Sequence, residues 1–279
     1  MFLFIMMKYN KKYIYLFFAM SALIGFSFFW KYKEGFDNKI NYLDGIDVIY
    51  WINLDRSTDR RAHMEKMLKE PTFNRIPNQR IVAFDGKKSS HKVFAKLNIL
   101  SAKKQTNVEY ACLLSHMEAI RMFDESKNKI GLIFEDDTTL EFQKYWTKTT
   151  KEIMNKAPTD WEVIMLCYIY KDSSDPFYNW ETTKTDYDKG TNYYSGLAYI
   201  INKKGSAKIM HTYKNGIYTL DKNTVHVADS HIYKLTNSYA YKYPMFIYKT
   251  LNNSTIHLDH IPYHIESKEK IIENYHKLI

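Results

Sequence analysis

Residues 131–142 read GLIFEDDTTLEF, an apolar run that ends in three adjacent carboxylates, Glu135, Asp136 and Asp137. The run begins at Ile130 and is apolar on both alternating faces, the pattern of a strand covered on both sides of a sheet. It is read as a central, parallel strand over 130–134. Such strands belong to α/β domains, and ligands of open α/β sheets gather at their carboxyl ends. The triplet stands at that end. Three neighbouring charges repel, so either they face water in an acidic turn or helix cap, or a positive charge sits among them. Hard oxygen ligands placed there suit Mg²⁺ or Mn²⁺, above all one shared with a diphosphate. The triplet alone leaves both readings open.

Outward from this strand, short apolar runs alternate with helical patterns from residue 46 onward, as expected of one α/β domain over 45–279. The β-branched and aromatic IDVIYWINL (46–54) predicts a strand. Ser57 or Thr58 then caps a helix to about Glu70, stopped by Pro71. RIVAF (80–84) predicts a second strand, closed by the turn pair Asp85-Gly86. A helix over 107–126 carries the apolar stripe Tyr110, Leu113, Leu114, Met117, Ile120 and Phe123. Further along, the patterns predict a helix over 141–156, strands over 161–169, 193–201 and 243–249, and helices over 203–213 and 227–235. Residues 170–190 lack periodicity and read as a long functional loop. There is no internal repeat.

The chain has 279 residues, 45% hydrophobic and 25% charged, which is ordinary globular composition. A net charge of +9 suits an anionic ligand or membrane surface. The lysines are scattered, so nucleic acid is not an expected partner. Cys112 and Cys167 lack metal-ligand spacing and sit in apolar segments, which predicts buried free thiols. Residues 13–30, YIYLFFAMSALIGFSFFW, carry no charge and are near the lower length limit of a membrane-spanning helix. Lys8, Lys11 and Lys12 precede them and leave residues 1–12 cytosolic. This segment reads as an uncleaved signal anchor, with 31–44 as a stem and the domain on the non-cytosolic side. The overlapping sequons at Asn252 and Asn253 are compatible with that placement.

A second polar cluster, INLDRSTDRR, sets Asn53, Asp55, Arg56, Asp59, Arg60 and Arg61 across a strand end and a helix start. Helix-terminal N–H groups with arginines nearby suit a phosphate, although surface pairing such as Arg61 with Glu65 accounts for several of these charges. Gly-x-Gly-x-x-Gly and P-loop motifs are absent. Ser115 and His116 are adjacent on one helix and cannot pair as nucleophile and base, and no Gly-x-Ser-x-Gly elbow occurs, which excludes a serine hydrolase. A metal-dependent phosphohydrolase lacks its second cluster of ligands.

Taken in order, VIYWINLDRSTDRRAHMEKML, RIVAFDG, ACLLSHMEAI, GLIFEDDTTL and DWEVIML resemble glycosyltransferase family 25, with looser likeness through SGLAYIINKKGSAKIM and VADSHIYKL to about residue 235. That family includes bacterial lipooligosaccharide galactosyltransferases and collagen hydroxylysine galactosyltransferases. The resemblance implies a GT-A-like fold, a UDP-sugar donor (UDP-galactose or UDP-glucose), a divalent metal, Mn²⁺ or Mg²⁺, and inversion at the anomeric carbon. It places Asp137 as the first metal ligand, assisted by Glu135 or Asp136. Asn53, Asp55, Arg56, Arg60 and Arg61 would cradle uridine and diphosphate, with Asp85 near the nucleotide or sugar. Ser115 and His116 would line the donor site. Asp229 of VADSH is the expected base, with Glu162 and Asp172 as rivals, and His257 or His260 could complete the metal shell. The acceptor is expected to be a glycan or protein hydroxyl.

Two departures stand out. Ala111 precedes the cysteine where the family usually has Gly, and Ala228 stands where it often has Pro. Neither removes a reactive group, so an active enzyme is expected. The alternative from another class is an inactive glycan-binding protein on the same fold, which would bind UDP without turning over a UDP-sugar.

Overall fold

The run at 130–135 becomes a buried strand, and the chain builds its sheet around it. The computed structural model describes residues 40–73, 75–100, 105–169, 186–189, 193–220, 222, 225–249 and 261–276. In chain order the elements are β1 (Val48–Asn53), α1 (Thr58–Met67), β2 (Asn78–Val82), α2 (Ser90–Phe94), β3 (Leu97–Ile99), α3 (Asn107–Glu125), β4 (Ile130–Glu135) and β5 (Thr138–Thr139). They continue with α4 (Thr150–Lys156), β6 (Val163–Met165), β7 (Tyr187–Lys189), β8 (Ala198–Asn202) and α5 (Lys203–Met210). The last are β9 (Tyr213–Lys214), β10 (Ile217–Leu220), α6 (Ala228–Leu235), β11 (Ser238–Tyr241), β12 (Ile247–Tyr248) and α7 (Ile261–His276).

The main sheet runs β2-β1-β4-β8-β6-β11-β7 and is mixed. β1 pairs in parallel with both β2 and β4, while β8 runs antiparallel between β4 and β6. The register sets Asn53 opposite Val82, and Ile52 opposite Glu135. Three strand ends therefore meet at one edge of the sheet. Because β8 is reversed, its entry residues reach the same edge, where Glu135 N donates to Leu197 O at 2.9 Å. α3 packs below. All six residues of its expected stripe are buried, worth about 2 kcal/mol for each fully buried apolar side chain. A capping box holds its start, with Thr106 Oγ1 accepting from Glu109 N and the Glu109 carboxylate accepting from Thr106 N.

Several expectations shift. The second strand ends at Val82, two residues early, because Ala83 to Asp85 turn away toward α3. The helix expected over 141–156 is broken. A 3-10 turn covers Gln143–Tyr145, and α4 begins only at Thr150 behind a second capping box, Thr149 with Glu152. The break lets Trp146 reach the core, where its Nε1 donates to Met245 O at 2.6 Å. Strand 161–169 shortens to β6, and strand 243–249 to the two residues of β12, which pair with β5. The central strand β4 has one parallel and one antiparallel neighbour.

The small sheet β3-β10-β9, β11 and α7 had no counterpart in the sequence reading. Within 170–190, residues 187–189 form an edge strand on β11. Both cysteines are free thiols, Cys167 buried and Cys112 partly so. Segment 13–30, residues 170–185 with Asp172, residue 190, the sequons at Asn252 and Asn253, and His257 and His260 lie outside the described residues. Among the described residues, no helix is long and apolar enough to cross a membrane.

Candidate functional site

A cleft opens at the edge where β1, β2 and β4 end, enclosing about 630 Å³ with its open mouth included. Its walls come from Ile52, Asn53, Leu54, Arg56, Ser57 and Arg60 at and beyond the end of β1, from 83–87 after β2, and from Glu135 and Asp136 at the end of β4. α3 supplies the floor with Cys112, Ser115 and His116. Gly86 allows the loop after β2 to close against the start of α3, since a Cβ there would collide with the Asn107 carbonyl.

The acidic triplet is not one site but three environments. Asp136 is buried, with both oxygens occupied: Oδ2 accepts from Asn53 Nδ2 at 2.6 Å, and Oδ1 from Arg60 Nη1 at 2.6 Å. Arg60 Nη2 also lies 3.3 Å from Asp137 Oδ2. The positive charge among the carboxylates is thus, in part, a side chain. Burial discourages ionisation of the Arg60 guanidinium, but Asp137 and Asp136 outweigh it and raise its pKa. Arg80 completes the chain by donating to Asn53 Oδ1 at 2.9 Å and to Asp55 Oδ1 at 2.7 Å.

Asp137 differs. Its Oδ1 is buried without a hydrogen-bond donor. Burial, with the Glu135 and Asp136 charges adding, pushes its carboxyl up to about 7 against the pull of Arg60. A buried carboxylate oxygen without a donor is costly unless a cation or proton meets it. Of the three acids, Asp137 is thus the one with a carboxylate oxygen left for a proton or a hard cation, and it is not among the residues lining the cleft. Glu135 turns the other way, and His116 Nε2 lies 3.1 Å from its Oε1. Burial opposes its ionisation, but the His116 hydrogen bond and charge, together with Arg60, hold it below the usual carboxylate range. His116 Nδ1 lies 3.1 Å from the Tyr199 hydroxyl.

The other expected residues divide. Arg56 and Asp85 both line the cleft, joined by a 2.7 Å ion pair, and Asp85 also caps Lys87 N and Lys88 N. Burial raises the Asp85 pKa, yet the Arg56 hydrogen bond and these two N–H groups lower it further than that. Ser115 Oγ donates to Ala111 O and accepts from Phe84 N, so it ties α3 to the loop after β2. Asp55 and Arg61 do not reach the cleft. Asp55 pairs with Arg80, and Arg61 with Glu65 at 2.8 Å on the exposed face of α1. Arg61 was expected to cradle the diphosphate, and the helix phase turns it outward instead.

Asp229, in the first turn of α6, accepts from Ser195 N at 3.0 Å and Ser230 N at 2.6 Å. Burial raises its pKa despite those two donors, and the Glu135 charge adds to the rise. Its neighbour Ser195 is a non-glycine residue at φ 137°. That strain persists because Asp229, the Tyr233 hydroxyl and Leu197 N each hold a different atom of Ser195. The strained turn delivers Gly196 to the site, where a Cβ would stand 2.8 Å from Glu135 Oε1 and 2.9 Å from His116 Cε1. Glu162 is excluded as a base by topology. It precedes β6 at the opposite edge of the sheet and binds Lys208 and Asn237 N. The sequence reading missed Ser195, Gly196 and Tyr199, although the Ser-Gly pair opening SGLAYII marked a turn at a strand start.

Apart from Lys87 and Val108, the cleft's residues fall in the ordered motifs noted above, and comparison with known proteins agrees. The profile described as "Glycosyltransferase family 25 (LPS biosynthesis protein)" matches residues 46–224. Procollagen galactosyltransferase 2 of Homo sapiens is 32% identical over 133 residues, 44% of this chain and 21% of that protein. A Drosophila melanogaster protein named "Glycosyltransferase 25 family member" is 26% identical over 177 residues, 59% of this chain and 28% of its own length. The matches thus span a quarter or so of these longer relatives. A solved glycosyltransferase involved in the glycosylation of the major capsid of PBCV-1 aligns over 82% of this chain and 99% of its own, at 8% identity and TM-score 0.31, too weak a likeness to bear on the fold. With more than half of its residues inside the profile, the chain belongs to glycosyltransferase family 25.

Proposed function

We propose that this chain is a metal-dependent, inverting hexosyltransferase with a GT-A-like fold, moving galactose or glucose from a UDP-sugar to a glycan or protein hydroxyl. The observation that carries it is the cleft at the ends of the three parallel strands, walled by Asn53, Arg56, Arg60, Asp85, Ser115, His116 and Glu135 from four separate family motifs. Arg56 and Arg60 offer guanidinium donors to a diphosphate. Asp137 would hold a divalent cation, Mn²⁺ or Mg²⁺, whose charge would offset that developing on the leaving diphosphate.

Inversion calls for one base and no protein nucleophile. Ser115 Oγ is committed to two backbone groups, and burial among carboxylates pushes the Cys112 thiol well up, so neither is activated for covalent catalysis. Asp229 is the proposed base. Its raised pKa suits a proton acceptor, and its contact with Ser195 sets it beside the Gly196 turn that meets Glu135. The uncharged segment 13–30 with its preceding lysines supports a signal anchor, leaving the domain on the non-cytosolic side.

A screen of UDP-hexoses against mixed glycan and hydroxylysine-peptide acceptors, with and without Mn²⁺, tests this reading. Metal-dependent UDP release from UDP-galactose or UDP-glucose is expected. Unchanged turnover in Asp137→Ala would remove the metal assignment.

A further inference from the structure

Beneath the cleft, three side chains from two elements converge on one point. Cys112 and His116 are four residues apart on α3, hence on one face one turn from each other. Glu135 reaches them from the end of β4. A thiol sulfur, an imidazole nitrogen and a carboxylate oxygen from these three lie within 4.8 Å of one another. We propose that Cys112, His116 and Glu135 form a site for a borderline-soft divalent cation of the Zn²⁺ class, separate from the hard-ion position at Asp137.

Four observations lead there. The donor set of sulfur, nitrogen and oxygen is one that Zn²⁺ accepts and that Mg²⁺ and Mn²⁺, which favour all-oxygen shells, do not. Donors bound at about 2.0–2.3 Å to one ion lie within roughly 4.5 Å of each other, so small side-chain rotations close the shell. The ring is already oriented, because the Tyr199 hydroxyl holds His116 Nδ1 and leaves Nε2 directed at Glu135. That outer contact is how metal-bound histidines are fixed. Finally, Gly196 stands where any side chain would press on Glu135 Oε1 and His116 Nε2, so at this position no side chain crowds these two donors.

Charge balance agrees. A thiolate and a carboxylate together neutralise one divalent ion, and coordination itself removes the thiol proton. All three donors also line the cleft, so the fourth position faces the substrate space, the pattern of three protein ligands and one exchangeable one. Because Glu135 belongs to the wall of the donor cleft, an ion held here would compete with use of that wall. On the transferase reading it acts as an inhibitor, but the binding itself does not depend on that reading.

Co²⁺, a spectroscopic stand-in for Zn²⁺, tests the site on the purified full chain without any activity measurement. Titration is expected to give a near-ultraviolet thiolate-to-Co²⁺ band that saturates at one ion per chain and is displaced by Zn²⁺. The band is expected to vanish in Cys112→Ser and to persist in Cys167→Ser and in Asp137→Asn. Tyr199→Phe, which releases the ring, is expected to weaken Co²⁺ binding by about 10–100-fold. No thiolate band with wild type, or a band that survives Cys112→Ser, overturns the proposal. Should Cys112→Ser lose its circular-dichroism signature, Glu135→Gln serves instead: at least a tenfold loss of Zn²⁺ affinity supports the site, and unchanged affinity refutes it.

Discussion

Replacing Arg60 by Met removes the only side-chain cation seen among the described residues between Asp136 and Asp137, while keeping most of the apolar stem. Its contacts with the two acids, at 2.6 Å to Asp136 and 3.3 Å to Asp137, disappear. At an effective dielectric of about 20, each such pair is worth roughly 4 kcal/mol before desolvation. Stranding a buried charge costs about 3–5 kcal/mol. The Arg60 side chain is 23% exposed, which places the expected loss near the lower end, about 3 kcal/mol, or roughly 6–12 °C in Tm for a domain of this size. Urea unfolding in chelator measures it. A double-mutant cycle with Asp136→Asn is expected to show about 2 kcal/mol of coupling, since the second change removes the stranded charge. Added Mn²⁺ is expected to restore more stability to Arg60→Met than it adds to wild type, because the cation replaces the lost guanidinium. A loss under about 1 kcal/mol, or strictly additive mutants, would refute the claim that Arg60 holds the triplet together.

Other consequences follow from neighbouring residues. Gly196→Ala sets a Cβ 2.8 Å from Glu135 Oε1, so UDP-hexose turnover should fall at least tenfold while the melting temperature shifts little; normal turnover would show that the His116–Glu135 contact is dispensable. Ser195→Gly relieves the φ of 137° but loses the acceptor for Leu197 N, whereas Ser195→Ala keeps the strain and loses the same bond. The Gly variant should therefore be the more stable by about 1 kcal/mol or more in urea unfolding. Asp137 has a folded-state pKa of about 7 against an ordinary 3.8, so its contribution favours the fold at low pH and is lost as pH rises through about 7, by at most about 4 kcal/mol in chelator. Asp137→Asn should flatten that part of the stability–pH curve, and an unaltered curve would contradict the burial of this carboxylate. Thr149→Ala removes the cap of α4 and should cost about 1 kcal/mol by the same unfolding assay.

The strands β1 and β4 and the helix α3 were legible because each carries a long, unbroken pattern of burial, and the cleft lies at the strand ends where the pattern pointed. The capping boxes were also written in the chain, as Thr106…Glu109 and Thr149…Glu152, and the second would have split the helix expected over 141–156. The two-residue strands β5 and β12 carry no pattern, since their pairing is decided by contacts more than 100 residues apart. The same holds inside the site. That Asp136 meets Asn53 and Arg60, and that Glu135 turns from its neighbours toward His116, depends on residues brought together by the sheet. Arg61 shows how two readings of one residue are decided: one residue beyond Arg60 and about 100° further round α1, it takes the surface pair with Glu65 that the sequence also offered, not the cleft.

The contrast between Arg56, which lines the cleft, and Arg61, which does not, offers the most direct test of the central claim, that the cleft at the ends of β1, β2 and β4 is the nucleotide-sugar site. Calorimetric titration of UDP in the presence of Mn²⁺ compares wild type with Arg56→Ala, which lines the cleft, and Arg61→Ala, which does not. A loss of at least tenfold in UDP affinity for Arg56→Ala, with Arg61→Ala unchanged, is the expected result. Equal losses in both, or wild-type binding by Arg56→Ala, would place the nucleotide elsewhere and contradict the account.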